Sequence, residues 1–210
     1  MKKISSILKE RYEKKYLIHG KDIKSLGWDR KKNQSKRFEI AIQGLQINSH
    51  NTILDVGCGF GDLANFLKRK KIKFKKYTGI DVNQNFIKIA KSRESKNTKF
   101  FLKDFCVDRV GKKYDYIFIL GFVNFNLNER FKNLIFLKSI VKKAFEISNK
   151  VLVFDFITSQ NSKKNKNEKF IYYYNPEHVL KLIQKLTSRY QIRHDYESIP
   201  KKECNVKLYK

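Results

Sequence analysis

The residues best suited to chemistry are three closely spaced glycines and the acid that precedes them. Gly57, Gly59 and Gly61 follow a short apolar run that contains Asp55. Glycines permit positive φ and leave no Cβ in the way of a ligand. The next segment, 62–69, is predicted to be a helix whose first N–H groups form an electropositive end. A polar small molecule can therefore bind against bare backbone between strand and helix.

The spacing of these glycines indicates which ligand binds there. Dinucleotide sites use G-x-G-x-x-G, whereas this loop reads Gly57-Cys58-Gly59-Phe60-Gly61. Asp55, two residues before the first glycine, is a poor neighbour for a pyrophosphate. It suits a ligand with a cationic end, such as the amino acid moiety of S-adenosylmethionine (SAM). The alternative interpretation is a generic joint between a strand and a helix.

Two more aspartates follow predicted strands. Asp81, with Val82 beside it, ends a strand over 77–81, about twenty residues beyond the glycines. An acid there can accept both ribose hydroxyls of an adenosine, although it could instead cap the next helix. Asp104 follows a strand over 98–102; it is either a ligand contact or a surface loop residue.

The composition is strongly basic. With 47 Lys and Arg against 20 Asp and Glu, the formal net charge is +27. Such a charge suggests a nucleic-acid partner. The excess is mostly lysine and is spread along every element, as in proteins encoded by AT-rich genomes. We therefore favour a solvated basic surface over a dedicated nucleic-acid site.

The length of the chain and its cysteines narrow the class of protein further. A chain of 210 residues suits one domain with a sizeable core. No apolar run approaches the roughly 18 residues of a membrane span, and the N-terminal apolar segment is too short for a signal peptide. Three cysteines without C-x-x-C spacing argue against a disulfide framework or a metal site. We expect a cytoplasmic protein with reduced thiols and no membrane insertion.

The elements that must position these residues form an α/β pattern. We predict a Rossmann-like sheet of seven strands, mostly parallel with an antiparallel last strand, and helices on both faces. The first strand starts at Ile53, and the others are predicted over 77–81, 98–102, 114–120, 151–157, 191–196 and 204–209. Helices are predicted over 4–18, 34–45, 62–69, 84–92, 128–147 and 176–186.

Residues 1–48 precede the first strand and are expected to form a helical cap over the mouth of a core formed by 49–210. Trp28 either anchors this cap or contacts substrate. Tyr12 and Arg37 are further candidate substrate-binding residues. Asn83 is expected to cap the helix that follows it.

The motif Asp-Val-Gly-Cys-Gly-x-Gly and the succession of predicted strands and helices along the chain resemble class I SAM-dependent methyltransferases. The resemblance implies SAM as cofactor, with S-adenosylhomocysteine (SAH) as its product. It also implies that the Asp104 carboxylate bonds the adenine amino group and that the Phe105 N–H meets a ring nitrogen. Leu120 and Gly121 would flank the adenosine.

More narrowly, the chain looks like a group of small bacterial proteins assigned as methyltransferases without a named substrate. The shared segments are Gly27-Trp28, the Gln-x-x-Arg-Phe of 34–38, a helix start with Tyr-Tyr followed by Pro-Glu at 173–178 and the Arg-His-Asp-Tyr of 193–196.

The segment after strand four bears on the substrate. Methyltransferases that act on exocyclic base nitrogens typically carry an Asn/Asp-Pro-Pro-aromatic tetrad there, and Gly121–Phe125 contains no proline. This disfavours a base-amino methyltransferase. Asn124 is then a candidate for the substrate side.

The catalytic group is sought near the end of strand six. His194 is favoured as the base for an acceptor hydroxyl because an imidazole titrates near neutral pH; its alternative role is structural. Asp195 beside it and Tyr173, delivered by the polar loop 158–169, are candidate substrate contacts.

Three functions remain open. The favoured one is methylation, preferably on oxygen, of a small anionic metabolite such as a sugar or phosphorylated intermediate of surface polysaccharide synthesis. The second is an RNA methyltransferase, with nucleic acid the less favoured partner. The third is a catalytically silent SAM-binding protein. The sequence does not indicate an oligomeric state.

Overall fold

A seven-stranded sheet with helices on both faces forms the protein in the computed structural model, which describes residues 1–127, 130–160, 170–196 and 203–210. The strands are β1 (Thr52–Val56), β2 (Lys76–Asp81), β3 (Thr98–Leu102), β4 (Tyr114–Ile119), β5 (Ser148–Ile157), β6 (Tyr190–Arg193) and β7 (Glu203–Tyr209). The helices are α1 (Lys2–His19), α2 (Lys31–Ile42), α3 (Asp62–Arg69), α4 (Gln84–Lys91), α5 (Arg130–Glu146) and α6 (Pro176–Gln184), with a 3₁₀ helix at Ile23–Leu26.

The strand order is β3-β2-β1-β4-β5-β7-β6. Strands β1 to β5 are parallel, and β7 inserts antiparallel between β5 and β6. The register pairs Ile157 at the end of β5 with Glu203 at the start of β7. The first residue of β7 therefore lies at the same sheet edge as the carboxyl ends of β1 to β5. The predicted fold class is confirmed.

Two apolar layers cover the sheet. One contains α5 and α6 residues such as Leu137, Ile140 and Ile183, all inaccessible to solvent. The other contains residues of α2, α3 and α4, such as Leu67 and Ala90. The inner strands β1, β4 and β5 are largely buried on both faces, as their near-continuous apolar sequences predict, whereas the edge strands β3 and β6 are partly exposed.

Several element limits differ from the predicted ones. The second helix is Lys31–Ile42 rather than 34–45, and a 3₁₀ helix occupies part of the preceding predicted loop. Strand six was predicted to reach residue 196, but it ends at Arg193, where its pairing with β7 ends at Asn205. Its residues His194, Asp195 and Tyr196 therefore follow the strand.

Two predicted segments fall partly outside the described residues. The start of the helix predicted over 128–147 does so at 128–129, and the loop predicted over 158–169 does so at 161–169. At the described beginning of that loop, Thr158 is buried and bridges to Tyr174 in a parallel arrangement.

Helix α1 crosses the carboxyl ends of β2 and β3. The side-chain amides of Asn83 and Asn85 donate to the Glu13 carboxylate at 3.0 and 2.9 Å. The Ser5 hydroxyl donates to the Asp104 carboxylate. These bonds hold the N-terminal segment over the glycine-rich loop. No helix among the described residues is long and apolar enough to cross a membrane.

Candidate functional site

A cavity of about 470 Å³ lies at the carboxyl edge of the sheet, beneath α1 and the 3₁₀ helix. It brings together ten of the residues predicted to bind the cofactor: Asp55, Gly57, Cys58, Gly59, Asp81, Val82, Asp104, Phe105, Leu120 and Gly121. Four predicted substrate residues also line it: Tyr12, Trp28, Arg37 and Asn124. Residues from distant parts of the chain thus line one cavity.

Gly61 is the predicted cofactor residue that does not line this cavity. Its φ of 78° is left-handed, and it occupies the N-cap position of α3. A Cβ built on Gly61 would lie 2.6 Å from the Phe100 ring. Glycine is therefore needed here for the turn and for close packing of α3 on β3.

The Asp81 carboxylate ties the glycine loop to the end of β2. It accepts hydrogen bonds from the N–H of Gly59 at 3.0 Å and the N–H of Asn83 at 2.9 Å. Burial raises the pKa of Asp81 to about 6, against the lowering effect of these N–H groups. Each oxygen keeps acceptor capacity. Asn83, not Asp81, caps α4 by accepting from the N–H of Phe86, as predicted for Asn83.

Asp55 is buried behind the loop and accepts a hydrogen bond from the Tyr77 hydroxyl. Burial raises the pKa of Asp55 to about 7; the Tyr77 bond opposes the shift, while Asp81 and Asp62 add to it. This acid therefore changes charge near neutral pH. A cation placed beside it would favour the ionised form.

The third acid, Asp104, is held by its neighbours. Its carboxylate accepts from the Cys106 N–H at 2.8 Å and from the Ser5 hydroxyl of α1. The adjacent Phe105 is buried, and its carbonyl accepts a hydrogen bond from the Lys143 ammonium at 2.6 Å. The loop after β3 is thus held by Ser5 of α1 and by Lys143 of α5.

This arrangement fits an adenosyl sulfonium. The loop after β1 presents bare glycine backbone, the carboxylate that ends β2 has spare acceptor capacity, and a third acid follows β3, all within one cavity. The resemblance to class I methyltransferases assigns the methionine end of SAM to the glycine loop, the ribose to Asp81 and the adenine to Asp104. The residues present can hold all three parts.

A second charged cluster forms the cavity wall on the far side of β4. Arg37 Nε lies 3.2 Å from Glu203 Oε1 and 3.3 Å from Asp155 Oδ2. A second Arg37 nitrogen donates to Glu203 Oε2. Asp155 also accepts from the N–H of Gly121 at 2.8 Å and the amide of Asn124 at 3.2 Å.

The two carboxylates of this cluster share one guanidinium. Burial raises the pKa of Glu203 to about 7, with Asp155 raising it further and Arg37 opposing the shift. The pKa of Asp155 is raised for the same reason of burial. One carboxylate therefore lacks a cation of its own, and the pair can hold a proton near neutral pH.

Comparisons with known proteins link part of the chain to methyltransferases. Residues 53–144 match a family model described as a methyltransferase domain. Over these residues the chain is similar to methyltransferase domains. Protein 235L of Invertebrate iridescent virus 6, named provisionally as a methyltransferase, is 35% identical over 83 residues, which is 40% of this chain and 29% of that protein. The chain thus spans less than a third of the curated relative that it matches.

Solved structures share the fold of this chain. Magnesium protoporphyrin IX methyltransferase from Synechocystis PCC 6803 with bound SAM has a TM-score of 0.66 at 11% identity, covering 98% of this chain and 96% of its own. N-methyltransferase NodS from Bradyrhizobium japonicum WM9 with SAH has a TM-score of 0.66 at 13% identity, covering 95% and 97%. At these identities the likeness concerns the fold.

Three predicted site residues lie outside the cavity lining: Tyr173, His194 and Asp195. His194 is exposed, and its Nδ1 lies 3.2 Å from the sulfur of Cys204. Asp195 is exposed and pairs with Arg193 at 2.9 Å. His194 and Asp195 do not reach the glycine loop, because β6 is the edge strand and β4, β5 and β7 lie between it and β1.

Sequence reasoning missed Asp155 and Glu203. An acid inside the apolar run 151–157 is a usable signal, because a carboxylate between two buried faces needs a partner. Glu203 gave no such signal, since its place depends on how β7 aligns with β5. The α1 residues Arg11 and Lys15, which also line the cavity, were likewise not singled out.

Proposed function

We propose that this protein is a SAM-dependent methyltransferase that methylates a small, anionic metabolite, with a hydroxyl oxygen as the favoured acceptor. The observation that carries the proposal is the convergence of Gly57, Gly59, Asp81 and Asp104 on one cavity that also extends to Trp28 and Arg37. The first set fits an adenosyl group, and the second leaves a place for an acceptor.

When bound, SAM supplies a methyl group that is already activated by a sulfonium, so alignment of the acceptor can provide much of the acceleration. The residues of the chain then bind and orient. Asp81 is fixed by two N–H groups and can accept from the ribose hydroxyls. Asp55 lies where a carboxylate can balance a cationic amino group.

The cavity walls support a small acceptor. The cavity of about 470 Å³, which residues of α1 and Trp28 line above the sheet edge, has the size of a small-molecule site and favours a metabolite over a folded nucleic acid. Arg11 and Lys15 are four residues apart and line the cavity from one face of α1, with Lys103 contributing from the sheet edge. These cations favour an anionic group on the acceptor, as in phosphorylated or nucleotide-linked sugars of surface polysaccharide synthesis.

The net charge of +27 favours a second candidate, an RNA methyltransferase. Binding to RNA through phosphates would weaken steeply with salt, because each neutralised phosphate releases counterions. The absence of the Asn/Asp-Pro-Pro-aromatic tetrad at Gly121–Phe125 speaks against methylation of base amino groups.

The test has two stages. Calorimetry with SAH first establishes whether the adenosyl site binds. Protein and methyl-labelled SAM are then incubated with a small-metabolite fraction and, separately, with total RNA from the same cells. Label in the metabolite fraction supports the proposal, whereas label in RNA alone replaces it with the second candidate. Binding of SAH without transfer to either fraction indicates a silent SAM-binding protein.

A further inference from the structure

Glu203 is the carboxylate that the far wall of the cavity presents. It is 3% exposed, begins β7 and lies opposite Ile157, so it reaches the sheet edge where the glycine loop lies. Both residues line the cavity. Its position comes from strand pairing, which fixes a side chain more firmly than a loop does.

The charged cluster of Arg37, Asp155 and Glu203 adjoins the loop after β4. That loop borders the predicted adenosyl site. Asp155 accepts from the N–H of Gly121, and a Cβ built on Gly121 would lie 2.5 Å from an Arg37 nitrogen. The next residue, Phe122, packs against Gly57: a Cβ built there would lie 2.9 Å from its ring. A short chain of contacts therefore links the carboxylate cluster to the glycine loop.

The groups that face Glu203 come from four segments of the chain. Arg37 approaches from α2, Asp155 from β5, Tyr196 from the segment after β6, and Cys204 is its neighbour in β7. Arg37 fixes the orientation of the Glu203 carboxylate by bonding both of its oxygens. Burial and Asp155 raise the pKa of Glu203 to about 7, while Arg37 opposes this. A base with such a pKa is matched to proton transfer near neutral pH.

We propose that Glu203 is the general base of the reaction and accepts the proton of the acceptor hydroxyl, with Arg37 and Asp155 as positioning residues; this rests on the proposed function. The acceptor oxygen forms a bond to the methyl carbon as the carbon–sulfur bond breaks, and that bond's electron pair goes to sulfur. The hydroxyl proton goes to a Glu203 oxygen and is later lost to solvent. Glu203 takes the role for which the sequence suggested His194.

The experiment uses the full chain, methyl-labelled SAM and the small-metabolite fraction that accepts label. We expect the wild-type rate to rise with pH through a midpoint near 7. Glu203→Gln should lower the rate by about 100-fold or more and abolish that midpoint, with SAH affinity unchanged. Glu203→Asp, which keeps a carboxylate, should recover part of the rate. The matched control is Glu39→Gln on α2, an exposed acid paired with Lys70, which should behave as wild type.

Two outcomes overturn this assignment while the proposed function stands. In one, Glu203→Gln transfers label within about threefold of the wild-type rate and with the wild-type pH profile. In the other, which needs no variant, the wild-type rate shows no change between pH 6 and 8, and ¹³C NMR of the side-chain carboxyls shows no titration of Glu203 in that range. If the wild-type protein binds SAH but transfers nothing, the proposed function fails and the role of Glu203 fails with it.

Discussion

The guanidinium carbon of Arg37 lies 4.1 Å from the centroid of the Trp28 ring at the cavity wall. Cation–π contact of this kind is stabilising where the cation is shielded from water, and the Arg37 side chain is only 12% exposed. Trp28 thereby holds α2 and the preceding loop against Asp155 and Glu203. This geometry supports the anchoring role suggested for Trp28. The Trp28 ring also lines the cavity.

Removal of Arg37 should destabilise the folded protein, because it leaves the buried carboxylates of Asp155 and Glu203 without their cation. We expect Arg37→Ala to lower the free energy of unfolding by about 3–5 kcal/mol at pH 8. The loss should shrink at pH 5, where the carboxylates can take up protons. Urea unfolding at both pH values measures this. Lys36→Ala, at the exposed neighbouring position of α2, is the control. A loss below about 1 kcal/mol at pH 8 would contradict the account, since that is typical of a surface pair.

Asp81 provides a direct test of the adenosyl site. Asp81→Asn removes the charge and half of the acceptor capacity that ribose hydroxyls would use. Hydrogen bonds to charged groups contribute about 1.5–3 kcal/mol, so SAH affinity should fall roughly tenfold to 100-fold. Calorimetry measures the change, with the exposed Glu146→Gln as control. An SAH affinity that stays within about twofold of wild type would remove Asp81 from the site.

Local signals explain which features could be predicted from the sequence. Helix α3 and strand β3 have the predicted limits, 62–69 and 98–102, because glycine punctuation and apolar runs define them without distant contacts. The cavity acids Asp81 and Asp104 follow from the same logic, since carboxyl ends of parallel strands share an edge. Each of these depends on residues close in sequence.

The features that sequence reasoning missed depend on long-range alignment. Glu203 reaches the cavity because β7 pairs with β5, whose partner residue Ile157 is far away in the chain. His194 was expected at the site on the assumption that strand six continued to residue 196, but β6 is an edge strand whose pairing ends at Arg193. Neither the register nor the fraying of an edge strand is encoded in local composition.

The raised pKa of Asp55 predicts that this residue destabilises the ligand-free protein at high pH. Because the folded chain holds this proton more tightly than the unfolded chain, stability from this group falls as pH rises from about 4 to about 7. Asp55→Asn cannot ionise, and its amide oxygen can still accept from Tyr77. We expect it to stabilise the free protein at pH 8 by on the order of 2 kcal/mol.

Urea unfolding at pH 5 and pH 8, with and without SAM, tests this expectation for Asp55. The variant should gain more stability at pH 8 than at pH 5. It should also bind SAM more weakly, because a neutral amide does not balance the cationic amino group. A gain of the same size at both pH values would show that the charge of Asp55 is not the cause.

Substitution of Gly61 tests the conformation of the glycine loop separately from its binding of the ligand. Gly61→Ala places a side chain at a φ of 78° and 2.6 Å from the Phe100 ring. Left-handed strain and overpacking together predict a loss of about 2–4 kcal/mol in the free energy of unfolding. Gly111→Ala is the control, because nothing lies within 4 Å of a Cβ there, and it should change stability by less than about 0.5 kcal/mol. Since Gly61 does not line the cavity, the folded variant should bind SAH with nearly wild-type affinity. A stable Gly61→Ala protein that has lost SAH binding would instead place this glycine against the ligand.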